Sequence, residues 1–236
     1  MSIKSVASIV RACGFAYRRL RRRQVSSRPA AASQEMDMAF RETFTRAMGE
    51  GRCIIAFDES GFDHRVVPLY GYAPRGSPAV GKYAALTDNK RHNLLLAVRS
   101  NGDTVRHEVI IGTVVASDVV DFVNAMECPK GSLLLMDNAP IHTTRAVAEA
   151  LVARGIEPLF TPPYSPALNP VELLFAEAKR HFRNARVRLP MPFQKQKNQN
   201  VMGELVEHAV QESTRASSVI GSFRHVSRVI RERLDN

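Results

Sequence analysis

Three acidic residues in this chain sit at the ends of predicted elements, where carboxylates can converge: Asp58 in AFDES, Asp137 in MDNAPIH and Glu172 in NPVE. Each aspartate follows a short apolar run, residues 53–57 and 133–136, too short for a helix and read as a buried strand. The glutamate comes just after Asn169 and Pro170, an N-cap and a first-position proline, so it lies in the opening turn of a helix. If the first strand lies at the centre of a sheet beside the later one, Asp58 and Asp137 come side by side and Glu172 closes the group. Three carboxylates so placed cannot all stay ionised without compensation. Oxygen donors of this kind suit Mg²⁺ or Mn²⁺. Two such ions, roughly 3.5–4 Å apart, would activate a water or a hydroxyl and stabilise the leaving oxygen of an in-line phosphoryl displacement. Taken singly, each acid reads as a cap or a surface residue.

The elements that must position these acids are legible from Leu133 onward. After Asp137 and Asn138 comes a helical pattern that Thr143 or Thr144 can cap, with Val147, Ala150 and Leu151 on one stripe and Gly155 as its stop. A second apolar run, residues 156–160, completes a strand-helix-strand unit, which requires two parallel neighbouring strands. Prolines at 162, 163 and 166 then make a stiff connector, because they remove backbone donors and hold their predecessors extended. Beyond it, Val171, Leu174, Phe175, Ala178 and Phe182 recur at helical spacing and form the face packed on the sheet. The connector thus aims Glu172 towards the strand ends.

Upstream, the strand over 53–57 is expected to end at Asp58-Glu59-Ser60-Gly61, and residues 65–70 and 92–99 read as further strands. Asn101-Gly102 is a hairpin turn leading into a strand over 105–111, and Ser117 can cap a short helix over 118–127. The pattern predicts an α/β domain over 51–236, a mixed sheet with helices on both faces. A connecting helix over 35–50 precedes it, with Phe40 and Phe44 on one side. Residues 1–34 are read as a partial DNA-binding helix, a basic arm and a linker over 24–34, with Val6, Ile9, Val10 and Cys13 at helical spacing before Gly14.

Composition narrows the classes. No apolar run is long enough to span a bilayer, so no membrane partner is expected. The three cysteines, Cys13, Cys53 and Cys128, show no metal-type pairing and read as free thiols in a reducing compartment. The net charge of +10 is unevenly spread: +8 over residues 1–34, −5 over 35–177 and +7 over 178–236. An acidic centre between basic ends suits a protein that holds cations in its middle and grips a polyanion at its ends. Arg18, Arg19, Arg21, Arg22 and Arg23 are the expected phosphate contacts of the arm. An organellar transit peptide is the alternative for this acid-free start.

In their order and spacing, AFDES, MDNAPIH and PPYSPALNPVE resemble the Asp-Asp-Glu triad of the mariner-type transposase superfamily (the DDE superfamily endonuclease domain), in particular its bacterial insertion-sequence branch. Between Asp137 and Glu172 lie 34 residues, the interval that branch shows. The resemblance covers about residues 50–236, including GSFRH near the C-terminus. It implies a ribonuclease H-like fold, with Asp58, Asp137 and Glu172 as catalytic ligands of two Mg²⁺ or Mn²⁺ ions. It also implies DNA cleavage and strand transfer on double-stranded DNA, at the terminal inverted repeats of an insertion element and at its target. A homodimer on DNA and a nucleoid-associated, cytoplasmic location in bacteria follow from the same likeness. Asn138 and His142 match the motif after the second aspartate; they position a metal water or a phosphate, or else serve as a capping Asn and a satisfied histidine. Asn169 is first a cap and Tyr164 a packing residue of the connector, while Lys179, seven positions after Glu172, shares its side of the helix and faces DNA phosphate. Glu59 and Asp63 are the neighbours that compete with Asp58 and match no motif.

The family carries a complete helix-turn-helix region ahead of its catalytic domain, whereas residues 1–34 resemble only a last recognition helix and its basic tail. The expectation is a frameshift fusion with an upstream helix-turn-helix product. A non-catalytic DNA-binding remnant or regulator of a transposable element is the alternative reading.

Overall fold

The computed structural model describes residues 8, 9, 12, 13, 30–63, 90–163, 165–188 and 201–232. The expected strand over 65–70, the arginines of the basic arm, Val6, Val10 and Tyr164 lie outside them. Of the N-terminal helix, Ser8, Ile9 and Ala12 are helical and the Cys13 N–H donates to the Ile9 carbonyl at 3.0 Å.

Five strands form one sheet: β1 (Ile54–Phe62), β2 (His92–Arg99), β3 (Thr104–Ile111), β4 (Leu133–Met136) and β5 (Glu157–Phe160). Their order is β3-β2-β1-β4-β5. The first three run antiparallel, whereas β4 pairs parallel with both β1 and β5, which makes the sheet mixed. Gly102, at φ 108°, supplies the positive dihedral that the turn between β2 and β3 needs. The Asn101 side chain steadies that turn by accepting from the Asp103 N–H at 3.1 Å.

Among the described residues, six α-helices cover both faces: α1 (Ala30–Gly49), α2 (Ala116–Ala125), α3 (Arg145–Arg154), α4 (Pro170–Val187), α5 (Val201–Ser213) and α6 (Ala216–Glu232), and a 3-10 turn over Pro166–Leu168 leads into α4. Strand alternation divides the core in two. Ile54, Ala56, Leu94, Leu96, Leu133 and Leu135 meet Phe40 and Phe44 of α1 and the apolar faces of α4, α5 and α6. Ile55, Phe57, Leu95, Leu134 and Met136 meet Val119, Phe122 and Val123 of α2 and Val147, Ala150 and Leu151 of α3. Every residue of β4 is buried, as its unbroken Leu-Leu-Leu-Met run requires of a strand covered on both sides.

Helix α3 is capped by Thr144, whose hydroxyl accepts from the Val147 N–H at 3.4 Å, and stopped by Gly155 in the left-handed region at φ 65°. Three expectations are corrected. Strand β1 does not end at Asp58 but runs on to Phe62, because β2 continues to pair with it through Phe62 and His92. Ser117 is no cap: α2 begins and ends two residues earlier than expected, at Ala116 and Ala125, and the Asp118 carboxylate accepts from the Val115 N–H at 2.8 Å. The proposed linker is shortened, since α1 already begins at Ala30. No described helix is long and apolar enough to cross a membrane.

Candidate active site

The parallel pairing of β1 with β4 sets Ala56 against Leu135, so Asp58 and Asp137, two residues further along each chain, emerge as neighbours. Asp58 is 8% exposed; its Oδ1 accepts from the Glu59 N–H at 2.8 Å and its Oδ2 from the Asn169 side-chain amide at 3.1 Å. Asp137 accepts at Oδ1 from the Ala139 N–H at 2.9 Å and from His142 Nδ1 at 2.7 Å. The other ring nitrogen of His142, Nε2, lies 2.9 Å from Glu59 Oε2. His142 is itself buried at 1% exposure, with its ring centroid 5.5 Å from that of Phe57 in an edge-on contact.

Glu172 arrives from the first turn of α4. Asn169 starts that helix, its side-chain oxygen accepting from the Val171 N–H at 3.3 Å while its amide nitrogen reaches Asp58. One buried side chain therefore fixes both the helix that carries Glu172 and the carboxylate of Asp58. Val171, Leu174, Phe175, Ala178 and Phe182 are all buried against the sheet, and the Phe182 ring packs 5.3 Å from Phe62. Glu172 stays solvent-exposed on the adjoining side.

The electrostatics of the cluster are uneven. Burial, then the charge of Asp137, push the Asp58 pKa up to about 8, and the Glu59 and Glu172 carboxylates add to the rise. The His142 hydrogen bond holds Asp137 below its ordinary value despite partial burial. For His142 burial favours the neutral ring, but its bonds to Asp137 and Glu59 outweigh that and carry its pKa up to about 10. Partial desolvation raises Glu172, Lys179 opposes the rise and Asp137 adds to it. Lys179 is lowered by burial, is sustained by Glu172, and stands 5.9 Å over the Phe62 ring.

Among the described residues, Asp58, Asp137 and His142 offer metal-ligand-type atoms within 4.8 Å of one another, and Glu172 falls outside that tight group. Both ring nitrogens of His142 already face carboxylates, however, so the histidine has no lone pair to give. What remains is a set of carboxylate oxygens crowded enough to raise the Asp58 pKa, with a backbone N–H and an asparagine amide as the donors to Asp58. That donor set fits a hard divalent cation such as Mg²⁺ or Mn²⁺.

Of the supporting candidates, His142 is the satisfied histidine of its two readings. Asn138 spends its amide on the Thr161 carbonyl at 2.5 Å, tying the end of β4 to the connector. Glu59, which the sequence offered only as a competitor of Asp58, is instead the partner of His142. The signal for it was strand alternation: once β1 runs through Asp58, Glu59 shares a face with Ile55 and Phe57.

The family profile described as DDE superfamily endonuclease matches residues 53–190, more than half of the chain. The chain belongs to the DDE superfamily endonuclease family. Among solved structures, the Mos1 transposase paired-end complex with left transposon end is similar at a TM-score of 0.68 and 17% identity, over 97% of this chain and 68% of that one. The Mos1 mariner paired end complex with Mn gives 0.69 at 18% identity, over 98% and 69%. The catalytic domain of Mos1 mariner transposase gives 0.58 at 16% identity, over 89% and 95%. At these identities the likeness is one of fold, and it makes the sheet ribonuclease H-like. Among curated proteins, no sequence matches this family member.

Proposed function

We propose that this chain is a transposase of the bacterial insertion-sequence branch, cutting DNA at element ends and joining the freed 3′-hydroxyl to a target. The observation that carries the reading is the parallel register of β1 and β4, which brings ligand atoms of Asp58 and Asp137 within 4.8 Å, with Glu172 in the first turn of the helix whose cap, Asn169, bonds Asp58. In this reading Asp58, Asp137 and Glu172 hold two Mg²⁺ or Mn²⁺ ions, and the two corresponding Mos1 complexes were solved with Mn and with Mg. Bound ions of this kind supply Lewis-acid activation of a water or hydroxyl and neutralise charge on the leaving oxygen.

The protein's own residues do the rest. Asn169 holds the Asp58 carboxylate by donating to its Oδ2, and Lys179 sits beside Glu172 where a DNA phosphate would pass. Arg18, Arg19, Arg21, Arg22 and Arg23 would supply sequence-independent grip on the duplex. Double-stranded element ends are the substrate, a homodimer pairs two of them, and a frameshift fusion adds the remaining helix-turn-helix. Such a protein works at the bacterial nucleoid. The three-part division belongs to the same reading, with the boundary expected after residue 34 moved back to Ala30, where α1 begins.

The test is Mg²⁺- or Mn²⁺-dependent nicking and strand transfer on inverted-repeat DNA by purified chain and by the fusion. Asp58→Asn, Asp137→Asn and Glu172→Gln each reduce both reactions to background in folded protein. Nicking that survives any one of these changes removes that residue from the catalytic set.

A further inference from the structure

Adjacent acids of β1 point to opposite faces of the sheet, and only one of them belongs to the crowded group. Asp58 faces α4 and Asn169, whereas Glu59 lies on the side of α2 and α3 and meets His142 Nε2 at 2.9 Å. The opposite ring nitrogen holds Asp137 Oδ1 at 2.7 Å, the same oxygen that accepts the Ala139 N–H. The His142 ring is held on every side: it is buried, its edge rests on Phe57, and both of its nitrogens are engaged. The Asp137 oxygen bonded to the ring and to Ala139 is thereby saturated with protein donors.

We propose that Glu59 and His142 are positioning residues for a divalent-cation site: Glu59 fixes the imidazole, the imidazole fixes Asp137, and Asp137 meets the cation through Oδ2. The proposal rests on the metal-dependent reading given above. It makes neither Glu59 nor His142 a ligand, although both stand within reach of the acids. Partners of this kind, one shell beyond the ligands, typically change metal affinity or activity by about 10–100-fold when removed.

The experiment is a Mn²⁺ titration of the full chain, following the free-ion signal by electron paramagnetic resonance, with nicking measured on the same samples. Glu59→Ala is expected to weaken Mn²⁺ binding by about tenfold or more with the number of bound ions unchanged, and saturating Mn²⁺ restores nicking. Glu59→Gln keeps an oxygen that accepts from Nε2 and recovers most of the affinity. His142→Asn, which retains a donor at the place of Nδ1, loses less affinity than His142→Ala. Thermal melts establish that each variant is folded.

Unchanged affinity in both Glu59→Ala and His142→Ala would overturn the proposal, leaving the pair a purely structural contact. It also fails if Glu59→Gln loses as much as Glu59→Ala together with one equivalent of ion, because Glu59 would then be a ligand. Asp137→Asn separates this from the parent reading. If that variant binds Mn²⁺ as the wild type does, the metal site itself is wrong; if it loses Mn²⁺ while Glu59→Ala does not, only the positioning role falls.

Discussion

Asp58 and Asp137 occupy matching places on two parallel neighbouring strands, yet their surroundings drive them apart. Asp58 is buried among neutral donors, a backbone N–H and an asparagine amide, and its pKa rises to about 8. Asp137 is less buried, receives a doubly bonded imidazole, and titrates below its ordinary value. Two neighbouring carboxylates are thus held at separated affinities, Asp137 favouring its anion and Asp58 its protonated form. The difference comes from what each aspartate meets, a helix cap beside Asp58 within β1 and a histidine-bearing loop beyond the end of β4.

Exchanging the charges tests this contrast most severely. Asp137→Asn leaves the His142 imidazolium with one carboxylate instead of two and should cost about 1–3 kcal/mol in metal-free protein at pH 7, read by urea unfolding. Asp58→Asn removes a reluctant anion, so the same measurement at pH 9 should show no loss of stability. Equal losses from the two changes would erase the distinction.

Next in size is the response to pH. The raised pKa of Asp58 contributes stability that is fully present below about 3.8 and is lost as pH climbs through about 8. His142 acts in the same sense, its contribution complete below 6.5 and lost as pH rises through about 10. Metal-free protein is therefore expected to melt at progressively lower temperature between pH 6 and pH 10. Because Mg²⁺ competes with the proton on Asp58, the melting temperature it adds should be larger at pH 9 than at pH 6. A Mg²⁺ effect independent of pH would mean that Asp58 is already ionised in the free protein.

The smallest effect concerns Asn169, which both caps α4 and donates to Asp58. Asn169→Ala loses both and should cost about 1 kcal/mol of stability. Asn169→Ser keeps a capping oxygen but cannot reach Asp58, so its stability stays close to wild type while Mg²⁺ binding weakens. If Ser and Ala behave alike in both measurements, the two duties of Asn169 are not separable.

How far the sequence revealed all this depended on how local the deciding interaction is. The stop of α3 at Gly155, its cap narrowed to Thr143 or Thr144, the start of α4 at Asn169-Pro170 and the buried run of β4 are set by neighbours in the chain and were legible. The continuation of β1 from Asp58 to Phe62 was not, since Asp-Glu-Ser-Gly has the composition of a turn and only distant β2 keeps it extended. With the strand cut short at Asp58, Glu59 had no assigned face, and its bond to His142, 83 positions away, left no local trace. Asn169 was visible as a cap, but its second bond, to Asp58, spans 111 positions.

The order of strands also has a consequence for how the molecule is born. The antiparallel pair β1 and β2 can close once residue 99 has been made, with Asp58 alone at its rim. Docking of β4, which brings Asp137 alongside, must wait for a segment that begins at Leu133. Synthesis at about 5–20 residues per second puts a delay of seconds between the two events. The antiparallel half of the sheet can therefore be sealed while its acid is still unopposed, and the repulsion between carboxylates is met only once more than half of the chain has been made.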